Sequence, residues 1–195
     1  MTSSLVGSEM CIRDSFLINQ VKEVADKDGL YSALVTFPMH PRQVIQTTYH
    51  PQLLSSPKEK LELLETTQVD YCLLLPFTQE LSLLSAREFM QLLRNKFNIH
   101  TLVIGYDHRF GHNRSESFED YCRYGEELNI YMVRARAYTD GEDKISSSVI
   151  RQLLKEGKVS QAAQFLGYNY YLDGTVVDGY KVGRKIGFPT ANLQV

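Results

Sequence analysis

Apolar positions along the chain follow two periods. Residues 30–37, 70–77, 101–104 and 130–137 are short, near-continuous apolar runs, the pattern of strands buried on both faces of a parallel sheet. Between them apolar residues recur at helical spacing: Leu17, Val21, Val24 and Ala25; Leu61 and Leu64 in a helix opened by Pro57; Ala86, Phe89, Leu93 and Phe97. Phe118, Tyr121, Cys122 and Leu128 form another such stripe, with Ser115 placed as N-cap. Further on, Val149, Ile150, Leu153 and Leu154 follow a run of serines, and Val159, Ala162, Ala163 and Leu166 close on Gly167 as a C-cap. The alternation of strand and helix predicts an α/β fold with a parallel sheet covered on both faces. Right-handed crossovers then put the loops after successive strands on one edge, where open α/β sheets bind ligands. From Tyr168 the texture changes to Tyr, Val, Thr and Gly, with turns at Asp173-Gly174 and Asp178-Gly179, which predicts β structure. Residues 1–15 show neither period and read as a tail.

Composition narrows the class. A length of 195 residues allows one full domain and part of another. Hydrophobic content of 43% and charged content of 23% are those of a globular protein. A net charge of -2 argues against nucleic acid or an anionic membrane as partner, since both call for a basic patch. Cys11, Cys72 and Cys122 are odd in number and outside metal-type spacing, so reduced thiols and a cytoplasmic location are expected. No apolar run approaches membrane-spanning length, and the N-terminus lacks the basic and apolar regions of a signal peptide.

Two stretches carry candidate chemistry. Residues 104–114 run from the end of a strand toward a helix and crowd Asp107, Arg109 and Arg114 into one loop, with Gly105 and Gly111 able to turn or approach a ligand closely. Such a loop also reads as a solvated connection whose charges pair among themselves. In the second stretch, Ser146, Ser147 and Ser148 precede a helix with Arg151 in its first turns. Free N–H groups and the positive end of the helix dipole make a phosphate cradle there, and Arg151 adds a forked cation. The serines read equally as a capping cluster. His40, in the turn Pro38-Met39-His40-Pro41, is a third candidate, either structural or beside the cleft.

Together these stretches resemble the bacterial bifunctional riboflavin kinase/FAD synthetase family. The resemblance is carried by Gly105-Tyr106-Asp107-His108-Arg109-Phe110-Gly111 with Arg114, by Ile145-Ser146-Ser147-Ser148 with Ile150-Arg151, by Thr36-Phe37-Pro38-Met39-His40-Pro41, and by the run from Gly183 to Leu193. It implies a Rossmann-like nucleotidyltransferase domain over residues 16–167, followed by the truncated start of a riboflavin kinase β-barrel over 168–195. It implies adenylyl transfer from ATP to FMN, with riboflavin and Mg²⁺ entering through the kinase portion and the transfer reaction. Ser146, Ser147, Ser148 and Arg151 would hold ATP phosphates, and Asp107, Phe110 and Arg114 would shape the nucleotide and flavin cleft. Pro189, Thr190, Ala191 and Asn192 match the kinase motif for Mg-ATP, with Thr190 and Asn192 near the metal.

One departure bears on activity. Members of the family begin with a strand and a Gly-x-Phe-Asp-Gly-x-His-x-Gly-His loop, whereas Arg13-Asp14-Ser15 stand here and no histidine precedes His40. Residues 1–15 are therefore expected to be foreign and unstructured, leaving the sheet without its first strand and the site without an intact catalytic residue. The kinase portion is expected to dock loosely, because a stub so short buries little apolar area. An alternative to the enzyme is a non-catalytic nucleotide- or flavin-binding remnant.

Overall fold

The computed structural model describes residues 1–5, 10–45, 48, 52–139 and 145–194. In chain order these form β1 (Thr2–Leu5), α1 (Ile12–Asp28), β2 (Ser32–Thr36), α2 (Pro41–Ile45), α3 (Pro57–Glu65), β3 (Tyr71–Leu74), α4 (Gln79–Leu83) and α5 (Ala86–Phe97). There follow β4 (Thr101–Ile104), α6 (Phe118–Leu128), β5 (Tyr131–Arg134), α7 (Ser147–Lys155), α8 (Val159–Leu166), β6 (Thr175–Val177), α9 (Val182–Lys185) and β7 (Asn192–Gln194).

Among the described residues, five parallel strands make one sheet in the order β3-β2-β1-β4-β5. Neighbouring residues of β2 point to opposite faces, as the two-residue period of a strand requires. Val35 joins Met90, Leu93 and Leu102 under α5 and α6, while Leu34 joins Ile18 and Leu64 under α1 and α3. Both β2 and β4 are buried along their whole length. The predicted α/β sandwich is the observed architecture.

The empty centre expected of the sheet is filled. Thr2–Leu5 lies between β2 and β4, pairing Thr2 with both Ser32 and Thr101. The Met1 carbonyl accepts from the backbone N–H of His100 at 2.9 Å, and the Thr2 N–H donates to Tyr31 O at 2.9 Å. The reason lies in the backbone: two buried strands otherwise present rows of unpaired N–H and C=O groups, and any extended segment can satisfy them whatever its side chains. Residues 6–9, the rest of the expected tail, lie outside the described residues.

Other expectations shift. The run at 70–77 reads as a buried strand, yet β3 is an edge strand with Tyr71 and Leu74 each 46% exposed. Leu61, expected inward, is 39% exposed, whereas Leu64 is buried. The N-cap of α6 is Ser117, in a capping box with Asp120, rather than Ser115. Gly167 does cap α8 in the left-handed conformation.

The segment after Gly167 is anchored over its first residues. Tyr168 packs with Met10, Leu34 and Leu64 on the α1 and α3 side of the sheet. The Asp173 N–H donates to the buried Glu59 carboxylate at 2.7 Å, and Lys58 pairs with the Asp173 carboxylate. Loose docking therefore does not hold up to Asp173. Beyond it, β6 and β7 form an antiparallel hairpin exposed on both strands.

A proline in β1 tests its place at the centre. Ser3→Pro removes one ladder donor between two buried neighbours and is expected to cost about 1–3 kcal/mol. In a thermal melt that is a fall of roughly 2–4 °C for each kcal/mol. An unchanged melt would remove β1 from the sheet.

Candidate functional site

The carboxyl ends of β2 and β4 lead into the two turns that sequence nominates. After β4 the chain turns at Gly105, whose carbonyl accepts from the His108 N–H at 3.0 Å. Tyr106, Asp107, His108 and Arg109 stand exposed, and the chain then dives at Phe110, which is only 6% exposed. Phe110 is held by Tyr121 of α6. Their rings stack at 4.5 Å and 9°. The Tyr121 hydroxyl accepts from the Phe110 N–H at 3.2 Å and lies 3.3 Å from the Phe110 carbonyl, to which it donates.

Two expectations at this loop are corrected. Phe110 belongs to the hydrophobic core with Phe89 and Tyr121 rather than to a cleft wall, because the aromatic stack buries it. Gly111 is required by packing within the protein, not by a ligand. Its φ is +91°, and a Cβ there would stand 2.6 Å from the backbone nitrogen of Ala86, at the start of α5.

The loop's charges are partly engaged. Arg134, at the end of β5, lies over the Tyr106 ring at 4.7 Å and the Phe118 ring at 5.6 Å, and donates to the Tyr106 carbonyl at 3.3 Å. Arg109 donates to the Arg114 carbonyl at 3.4 Å, and Arg114 takes a positive φ of 51°. Desolvation first, then the Arg114 charge, holds the His108 pKa below the usual histidine range, against a smaller opposing effect of Asp107. His108 is therefore a neutral ring at pH 7.

Arg13 joins this loop to the serine helix. From the first turn of α1, Arg13 Nη1 donates to Ile145 O at 3.0 Å and Nη2 reaches Asp107 Oδ2 at 3.3 Å. The ion pair is solvent-exposed, at 41% for Arg13 and 71% for Asp107, so its stabilising worth is about 1 kcal/mol or less. Its value is positional: a residue 94 places from Asp107 and 132 from Ile145 brings both stretches to one spot. Sequence reasoning missed Arg13, and the only signal was a cation at the opening of a helix. Beside it, burial pushes the Asp14 carboxyl up although Cys11 donates to it through both N–H and thiol, and burial pushes the Cys11 thiol up to about 12.

The serines divide their work. Ser146 caps α7, accepting from the Val149 N–H at 3.4 Å. Ser147 opens the helix, and Ser148 Oγ accepts from Arg151 Nη2 at 3.3 Å. Arg151 Nη1 also donates to Gln52 O at 3.2 Å, so its fork is preset between α7 and the segment before α3. The capping and cradle readings are thus compatible. Lys144, at the head of this stretch, lies outside the described residues. His40 acts as a cap: its Nδ1 accepts from the Arg42 N–H at 3.2 Å at the start of α2. Pro189, Thr190, Ala191 and Asn192 lead into β7 of the exposed hairpin, where Gly179 leaves the space that the Asn192 side chain fills.

A parallel sheet in this order, with a cation-linked loop and a serine-capped helix at its carboxyl edge, defines a Rossmann-like nucleotide-binding class. Residues 15–149 match the family model described as FAD synthetase, and residues 166–195 match that described as riboflavin kinase. The chain belongs to the FAD synthetase family, with a small piece of the riboflavin kinase family after it. It is 34% identical over 181 residues to a bifunctional riboflavin kinase/FMN adenylyltransferase of Listeria monocytogenes, covering 92% of this chain and 57% of the relative. The protein of the same description from Escherichia coli K12 is 32% identical over 178 residues, covering 91% and 57%. A crystal structure described as a macrolide-efflux protein from Streptococcus pneumoniae superposes with a TM-score of 0.84 at 30% identity, covering 99% of this chain and 64% of that one. The chain spans under two-thirds of the length of these proteins. Among the described residues no helix is long and apolar enough to cross a membrane.

Tyr121→Phe tests the anchor of the loop. It keeps the ring and leaves two buried backbone groups of Phe110 unpaired, an expected loss of about 1–3 kcal/mol by urea unfolding. Amide exchange at Phe110 should rise at the same time. Unchanged exchange would detach the loop from Tyr121.

Proposed function

We propose that the carboxyl-edge site transfers the adenylyl group of ATP to FMN. An FMN phosphate oxygen attacks the α-phosphorus of ATP, the bond to the bridging oxygen breaks, and FAD and pyrophosphate are formed. The observation that carries this reading is the convergence of the Asp107 loop and the α7 N-terminus through Arg13. The printed names of the relatives support it. No covalent nucleophile is needed; the work is to align two anions and neutralise charge.

The roles follow from placement. Ser147, Ser148 and the free N–H groups at the start of α7 receive ATP phosphates, beside the preset Arg151 fork. Asp107 and Arg114 border the nucleotide and flavin. Phe110 and Gly111 position the loop from within the core, and Gly105 starts its turn. His40 shapes the turn after β2. Among the described residues no three His, Cys, Asp or Glu side chains form a metal cage. That donor set fits Mg²⁺ only as the companion of ATP phosphates, held largely by substrate and water.

Transfer by this chain is slow, since no histidine precedes His40 to donate to the developing phosphate charge. Loss of one such donor typically costs about 3–4 kcal/mol in the barrier. The division into 16–167 for transfer and 168–195 for a kinase portion belongs to the same reading. Small-molecule substrates and no nucleic-acid partner fit the balance of charge, and a cytoplasmic location fits the scattered thiols.

Two outcomes test it. Arg151→Ala is expected to weaken ATP binding in calorimetry by about 1.5–3 kcal/mol, as loss of a charge-assisted contact does; equal affinity would remove α7 as the phosphate site. Second, the exposed β6–β7 hairpin buries too little to build a kinase site, so the chain should convert no riboflavin to FMN. Measurable FMN by chromatography would overturn that part.

A further inference from the structure

Lys60 is a buried cation that neither the loop nor the serine helix accounts for. It is 5% exposed, in the first turns of α3. Its ammonium donates to the Thr36 hydroxyl and, at 3.4 Å, to the Phe37 carbonyl. Among the described residues no carboxylate lies within ion-pair distance of it, and burial pushes its pKa down. Thr36 is the last residue of β2 and fully buried, and Phe37 begins the turn that carries His40. That turn leaves the same sheet edge as the Asp107 loop. The residues before Lys60 fix α3 from the other side, since Lys58 and Glu59 both bind Asp173. The first turn of α3 is thus held against the chain beyond Gly167 and, through Lys60, against the end of β2.

We propose that Lys60 is a positioning residue for the transfer reaction, fixing the end of β2 and with it the turn at 38–40 on the rim of the cleft; the inference rests on the adenylyl-transfer reading. A purely structural part would not need the charge, because a buried cation replaced by an apolar side chain of similar volume is often neutral for stability. What the charge adds is direction. Its donors reach a side-chain and a backbone oxygen on adjacent residues of one strand end.

The test uses the full chain and Lys60→Met, with melting temperature, FMN affinity by flavin fluorescence and amide exchange at Arg42 as readouts. Lys60→Met is expected to melt within about 4 °C of the unsubstituted chain. It should exchange faster at Arg42 and bind FMN roughly tenfold to a hundredfold more weakly, as displaced positioning groups do. Lys60→Arg should recover part of the affinity, and Thr36→Val should reproduce the loss, deciding the matter if Lys60→Met does not fold. FMN affinity equal to that of the unsubstituted chain, or falling only alongside a much lower melting temperature, would overturn the role of Lys60 alone. Failure of the unsubstituted chain to bind FMN would overturn the adenylyl-transfer reading, and this inference with it.

Discussion

Backbone pairing at the centre of the sheet is the constraint on which the rest depends. β1 bonds to β2 on one side and β4 on the other, and both neighbours are buried along their length. Water cannot reach those N–H and C=O groups, so each needs a partner within the protein. Once the three strands are in register, the ends of β2 and β4 lie on one edge. The turn at His40 and the loop at Asp107 then leave the sheet side by side. The site is a consequence of that register.

Around that edge the protein uses rigid anchors rather than a rigid loop. Phe110 is stacked and hydrogen-bonded by Tyr121, Gly111 is wedged on Ala86, and Arg134 lies over Tyr106. Between these anchors Asp107, His108 and Arg109 remain in solvent. An exposed pair such as Arg13–Asp107 adds little stability, yet it needs little to choose one loop position when the ends are already fixed. Arg151 and Lys60 work in the same manner, each donating to backbone oxygens of neighbouring segments. For chemistry that consists of aligning two anions, preset donors are what the protein can contribute.

Much of this was legible in sequence where periodicity is strong. α5, with Phe89, Met90 and Leu93 buried on one stripe, and α8 with its Gly167 cap follow the pattern closely. The serine helix and the Asp107 loop were legible as chemistry, and their meeting followed from the rule that parallel strands share an edge. β1 was not legible, because Thr-Ser-Ser-Leu carries no apolar signature and its place depends on backbone pairing alone. The exposure of β3 was hidden because an apolar run does not say whether a further strand lies beside it. Phe110 read as a cleft residue because its partner, Tyr121, lies eleven residues further on in a helix. Lys60 was invisible for the opposite reason: a lysine in a charged helix looks solvated until its surroundings are known.

The central claim is that this edge forms FAD and is held back mainly by the absent histidine-bearing loop. The most direct measurement is FAD formed from FMN, ATP and Mg²⁺, followed by chromatography, for the chain as it stands and for one in which residues 1–15 are replaced by a strand and a Gly-x-Phe-Asp-Gly-x-His-x-Gly-His loop joined at Phe16. The account predicts turnover near background for the first and a gain of at least about a hundredfold for the second, with the fold retained. A grafted chain that melts at the same or a higher temperature without making FAD would contradict it, as would rapid turnover by the chain without the graft.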